Sequence, residues 1–217
     1  DFTLHLLQCR PQSWREGGES IVVPVEEVPE RDILFLARRM VPHGKVKDIR
    51  YVIYVDPRGY FVEADHMTRL DIARLVGRLN RILEGERFIL MGPGRWGTSN
   101  AELGIKVTYA EIYNARALVE IAQSETKGGP EVSYGTHFFQ DLVESHIYPL
   151  PLFLGDPETL FNQRFFREAA NALEELLPDD GEYAPFVKVI DVPAVTGGRR
   201  ANLAMDSVED EAMAYLG

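Results

Sequence analysis

Three stretches carry residue types that could do chemistry. In FILMGPGRWGTSN, Phe88 to Asn100, an apolar run breaks into Gly92, Pro93, Gly94, Arg95, Trp96 and Gly97, followed by Thr98, Ser99 and Asn100. A strand ending in Gly-x-Gly lets the backbone approach a ligand closely. Successive N–H groups there can form a nest for a small anion, with Arg95 as counter-charge and Thr98 and Asn100 as neutral donors. The spacing is neither that of the phosphate loop, which needs Gly-Lys-Ser/Thr, nor the dinucleotide G-x-G-x-x-G that opens a helix. A structural reading stands beside the chemical one, because glycines permit positive φ at a corner and Trp96 can plug a hydrophobic gap.

The second stretch, SYGTHFFQDLVESH, reads as a short helix capped by Thr136. Its first-turn N–H groups offer an anion seat, His137 can titrate near neutrality, and Asp141, one turn on, can orient it as an acid/base pair. No nucleophile accompanies the pair, and the alternative is a capped amphipathic helix with Phe138, Phe139, Leu142 and Val143 in the core. Third, Gln8 and Arg10 stand two apart on an opening strand and therefore share a face. An amide beside a planar guanidinium can hold a nucleotide's phosphates; an edge-strand Arg paired with a carboxylate has the same spacing. Glu102, Lys106, Glu111 and Glu120 could be assembled into a metal site, but with 34 acidic residues such coincidences are expected, and no metal site is predicted. TGGRR, Thr196 to Arg200, reads as a solvated basic turn.

Elements that could position these residues follow from pattern. DFTLHLLQCRP alternates as a strand already under way, so the chain reads as a piece of something longer, and QSWREGGES reads as a linker. IRYVIYVDPRGYFVEA predicts a hairpin about Asp56 to Gly59. Ile72, Leu75, Val76, Leu79, Ile82 and Leu83 make a helical stripe with Thr68 as N-cap, and RFILM a buried strand. ARALVEIA fits strand or helix, and IYPLPLFL an edge strand with prolines. Phe161 to Leu176 reads as an amphipathic helix, FVKVIDV as a strand, and the tail SVEDEAMAYLG as an acidic, helical segment. The prediction is an α/β (mixed α+β) chain: residues 21–217 form a mixed sheet with flanking helices, and residues 1–20 a separate strand and linker.

Composition bounds the function. With 45% hydrophobic and 26% charged residues the 217-residue chain is that of a globular protein, and its net charge of −11 works against a surface that tracks nucleic acid. No apolar run approaches the roughly 20 residues that span a bilayer. A single cysteine, Cys9, cannot form an internal disulfide, and no Cys/His group has zinc spacing. A cytoplasmic protein is expected.

LHLLQCRPQ resembles the closing strand of the ATP-grasp domain of phosphoenolpyruvate synthase and pyruvate phosphate dikinase, where an L-Q-x-R-P segment supplies the last ATP contacts; Gln8 and Arg10 match its Gln and Arg. DIRYVIYVDPRGY, GPGRWGTSN and YGTHFFQDLVES resemble the carboxy-terminal extension that follows this domain in proteins described as containing a phosphoenolpyruvate/pyruvate-binding domain. Together the matches span roughly residues 1 to 155. The resemblance implies a parent that converts ATP and pyruvate to phosphoenolpyruvate with Mg²⁺ through a phosphohistidine, the ATP-grasp domain being this module's partner in the same chain. The glycine-rich loop and lysine of an ATP-grasp amino-terminal half, the phosphohistidine domain and the pyruvate-binding barrel have no counterpart here, so the implied role of this chain is binding or support. Two alternatives stay open: an independent anion-binding or hydrolytic domain built on the Gly92–Asn100 loop and the His137 helix, and a structural or homo-oligomerisation domain.

Overall fold

Strand-forming apolar runs become strands wherever both their faces can be covered. The computed structural model describes residues 21–122, 132–133 and 136–217. Its order is β1 (Ile33–Ala37), β2 (Gly44–Ile49), β3 (Tyr51–Val55), α1 (His66–Ile82), β4 (Phe88–Pro93), β5 (Ala117–Ala122), α2 (His137–Glu144), β6 (Tyr148–Phe153) and β7 (Leu160–Phe161). Then come α3 (Gln163–Glu168), α4 (Leu173–Leu176), β8 (Val187–Asp191), α5 (Val192–Thr196), β9 (Ala201–Asp206) and β10 (Glu211–Leu216). The predicted strand and linker of residues 1–20, with Gln8 and Arg10, lie outside the described residues.

One sheet has the order β6-β5-β4-β3-β8; strands β3 to β6 run parallel, and β8 is antiparallel at one edge. Sequence order and spatial order coincide from β3 to β6, so right-handed crossovers put their helices on one face. There Ile72, Leu75, Val76 and Leu79 of α1 and Leu142 of α2 pack with Ile53, Leu90 and Leu118. The opposite face carries Val52, Ile89, Met91, Val119 and Leu150, which meet Phe35, Leu203, Met205 and Ala214 of the second sheet. That sheet, β2-β9-β10-β1-β7, is antiparallel in its pairings. The result is an α/β chain in three layers: helices, mixed sheet, antiparallel sheet. Burial on both faces is why β3 and β4 read as unbroken apolar runs and β5 as one interrupted only by Glu120. Pro149 and Pro151 sit in β6, an edge strand, where a missing N–H interrupts no ladder on the open side. No helix among the described residues is long and apolar enough to cross a membrane.

Four expectations are corrected. The hairpin does not form: after β3, the Asp56 carboxylate accepts from the Gly59 N–H at 2.6 Å and starts a helical turn over Gly59–Glu63. That turn buries Tyr60, whose hydroxyl donates to the Gly104 carbonyl at 2.7 Å. The N-cap of α1 is Asp65, which accepts from the Thr68 N–H at 2.7 Å, so Thr68 is inside the helix. The helix expected from Phe161 to Leu176 is broken into β7, α3 and α4, because Asn171 leaves the helical path to bind β8. Its amide oxygen accepts from Val189 N–H at 2.8 Å and its NH₂ donates to the Val187 carbonyl at 3.0 Å. The acidic tail is a strand, β10, paired on both sides by β1 and β9.

Candidate functional site

The Gly92–Asn100 loop leaves the carboxyl end of β4, and its conformation is set by one pair in register. Gly92 stands beside Glu120 of β5, and both face the helix layer. A side chain at Gly92 would place its Cβ 2.7 Å from Trp96 Cζ2 and 2.9 Å from Ile105 Cδ1, so the missing side chain is the seat of the indole. Trp96 is fully buried there. Folding back over Gly92 brings the Trp96 backbone to Glu120, whose Oε1 accepts from the Trp96 N–H at 2.9 Å. The other carboxylate oxygen, Oε2, accepts from the Ser133 N–H at 2.6 Å, and Ser133 Oγ donates back to the Trp96 carbonyl at 2.7 Å.

The backbone nest expected for an external anion is therefore spent inside the protein. Gly94 N–H donates to Ile121 O at 2.9 Å, Arg95 N–H to Leu103 O at 3.0 Å and Gly97 N–H to Ile105 O at 3.0 Å. With Trp96 N–H on Glu120, these four consecutive donors all have protein acceptors. Gly94 and Gly97 adopt φ of 64° and 70°, and Gly94 forms a lone antiparallel bridge with Gly104. Thr98 is buried, its hydroxyl accepting from Asn100 N–H at 3.2 Å, while the Asn100 side chain accepts from Glu102 N–H at 3.0 Å. The one side-chain acceptor among the partners of those four donors is the carboxyl of Glu120.

Burial pushes the Glu120 carboxyl up from 4.5 to about 7; the bonds from Ser133 and Trp96 and the charge of Arg95 act the other way and are outweighed. The folded chain thus holds a proton that the unfolded chain releases between pH 4.5 and about 7. Stability from this group is full below that window and falls as pH rises through it, by about 3 kcal/mol in total. Urea denaturation at pH 5 and pH 8 on the wild type and Glu120→Gln is expected to show this fall only in the wild type; equal pH dependence in both would contradict it.

The loop and α2 meet. Gly97 leaves room for the Phe138 ring, which occupies the place a Cβ would take. Thr136 caps α2, accepting from Phe139 N–H at 3.2 Å and donating to Ser133 O at 2.7 Å, so the cap continues the network that starts at Glu120. His137 and Asp141 both lie exposed on the outer side of this helix. No ion pair or hydrogen bond joins them among the described residues, since helical spacing alone does not close two solvated side chains. The acidic residues Glu102, Glu111 and Glu120 do not converge: Glu111 closes a capping box with Thr108, and Glu120 is held as above. Among the described residues no group of three or more His, Cys, Asp or Glu side chains is placed to hold a metal ion.

A cleft of about 570 Å³ opens at the carboxyl end of β3. Tyr54, Leu154, Phe161 and Phe166 form its apolar floor, and Asp56, Arg58, Arg167 and Lys188 supply polar groups. Phe161 and Phe166 stack at 4.8 Å, with Tyr54 5.0 Å from Phe166. The position agrees with the rule that open α/β sheets bind ligands beyond the carboxyl ends of parallel strands. Sequence reading missed this cleft because Asp56-Pro57-Arg58 looks like turn chemistry and its other walls come from segments about a hundred residues away. Glu120 did carry a signal, as the one acidic residue inside an otherwise apolar strand.

The fold and site define an α/β chain with a self-locked glycine loop and a separate ligand-sized cleft. No known protein family, characterised protein or solved structure matches the chain.

Proposed function

We propose that the chain is a non-catalytic binding and support module of a cytoplasmic, phosphoenolpyruvate synthase-like ATP-dependent phosphotransferase, in which ATP and Mg²⁺ are handled with the rest of the parent chain. What supports a non-catalytic role is one observation: the backbone N–H groups of Gly94, Arg95, Trp96 and Gly97 all have acceptors inside the protein, and Glu120 and Ser133 tie the loop to the α2 cap. A catalytic constellation needs a nucleophile or base aimed at open space, not one saturated by its own backbone. The link to a phosphotransferase rests on the resemblance of residues 1 to 155, with Gln8 and Arg10 as its ATP contacts. Calorimetry is the test: this chain alone is expected to bind ATP at least a hundredfold more weakly than the ATP-grasp-containing parent. Equal, tight binding by both would overturn the reading.

A second reading, an independent anion-binding or hydrolytic domain, draws on the meeting of the loop with α2 at Gly97 and Phe138. It requires His137 and Asp141 to act from the exposed side of the helix, and loss of any measured hydrolysis in His137→Ala is the outcome it needs.

A further inference from the structure

We propose that the cleft at the carboxyl end of β3 binds a small molecule with a planar aromatic body and an anionic group; this rests on the reading of the chain as a binding module. The volume, about 570 Å³, lies within the roughly 300–1,000 Å³ usual for small-molecule sites. Its floor is aromatic: the half-buried Phe161 stacks at 12° on the buried Phe166 beside Tyr54, an apolar surface that suits a flat apolar body.

Charge around the cleft runs against the rest of the molecule. The chain carries −11 overall, yet the lining of this cleft holds Arg58, Arg167 and Lys188 with one carboxylate, Asp56, while Glu63 and Glu168 reach the two arginines from outside the lining. Lys188 is fixed, its ammonium donating to the carbonyls of Arg167 at 2.7 Å and Ala169 at 2.9 Å. An ammonium has three donors, so one remains after those two bonds. Arg58 and Arg167 are the adjustable cations: each is more than three-quarters exposed and among the described residues has only a loose surface pair, Glu63 at 3.5 Å and Glu168 at 3.4 Å. Such pairs contribute about 0–1 kcal/mol and yield to an anion seated between them. Asp56 is held by the Gly59 N–H and by the Tyr54 hydroxyl at 3.3 Å, which leaves acceptor capacity for a hydroxyl or amino group on the ligand. The cleft thus matches an aromatic anion bearing a donor group, and it disfavours an aromatic cation.

Fluorescence titration of the 217-residue chain with 8-anilinonaphthalene-1-sulfonate, an aromatic anion, tests this. One saturable site is expected, with thioflavin T, an aromatic cation, binding at least tenfold more weakly. The double variant Arg58→Ala, Arg167→Ala removes two exposed side chains and leaves the core intact; it is expected to weaken the anionic dye at least fivefold. Leu154→Trp fills the floor and is expected to weaken it more than tenfold, with folding of both variants checked by urea denaturation. Absence of saturable binding, equal affinity for the two dyes, or unchanged anion affinity in the double Arg variant would overturn the proposal. None of these readouts involves ATP, so their failure and that of the phosphotransferase reading are separate results.

Discussion

Glu120→Leu is expected to lower the stability of the chain by about 3–5 kcal/mol and to release the Gly92–Asn100 loop. Replacing a buried acid with an apolar residue of similar volume is often neutral, because the cost of burying a carboxylate disappears with it. Here the partners decide otherwise. The donors on Glu120 are the backbone N–H groups of Trp96 and Ser133, which no side-chain substitution removes, and both are buried. Each is left without an acceptor at about 1–3 kcal/mol, and the Ser133 hydroxyl bond to Trp96 O loses its fixed geometry. Glu120→Gln keeps one acceptor and turns an NH₂ toward the other donor, so it should cost less, about 1–3 kcal/mol. Equilibrium urea denaturation at pH 6 measures both. A loss below about 1 kcal/mol for Glu120→Leu would mean that the loop does not depend on this carboxylate.

The second large effect is expected at Gly104. Its φ is 152°, a region that side-chain-bearing residues hardly populate, and a Cβ there would fall onto the Arg95 backbone carbonyl, with Arg95 N at 2.6 Å. Backbone cannot rotate away as a side chain can, so Gly104→Ala must open the bridge to Gly94 and with it the Arg95 N–H bond to Leu103. A cost of about 4 kcal/mol or more is expected, enough to unfold a marginal chain. Gly85→Ala separates strain from collision. Gly85 also has positive φ, 87°, but no atom lies within 4 Å of the position its Cβ would take, so about 1 kcal/mol is expected. Thermal denaturation of the two variants side by side should show this contrast, and equal losses would show that crowding at Arg95 is not what requires glycine.

Local pattern was enough where local pattern decides. The stripe Ile72, Leu75, Val76, Leu79 is the buried face of α1, and RFILM and FVKVIDV are the buried strands β4 and β8. It failed where partners distant in sequence decide. Ala212, Met213 and Ala214 are good helix formers, yet β1 and β9 flank them and make them a central strand. Asn171 breaks an amphipathic run because β8 offers it two backbone groups. For the site, the glycines and Trp96 were visible as a special loop, but their reason was not. Gly92 needs Trp96 above it and Glu120 beside it, and only strand register places residues 92 and 120 side by side. A loop whose N–H groups are spent on internal carbonyls and on one internal carboxyl leaves the same glycine pattern in the sequence as a nest for an external anion would.

The carboxyl-carbon NMR titration of Glu120 tests the internal lock most directly. A midpoint near 7 is expected, with the Trp96 and Ser133 amide protons shifting at the same pH as their shared acceptor changes charge. A midpoint near the ordinary 4.5, with those two amides unmoved, would place Glu120 in solvent and leave the Trp96 N–H without its acceptor.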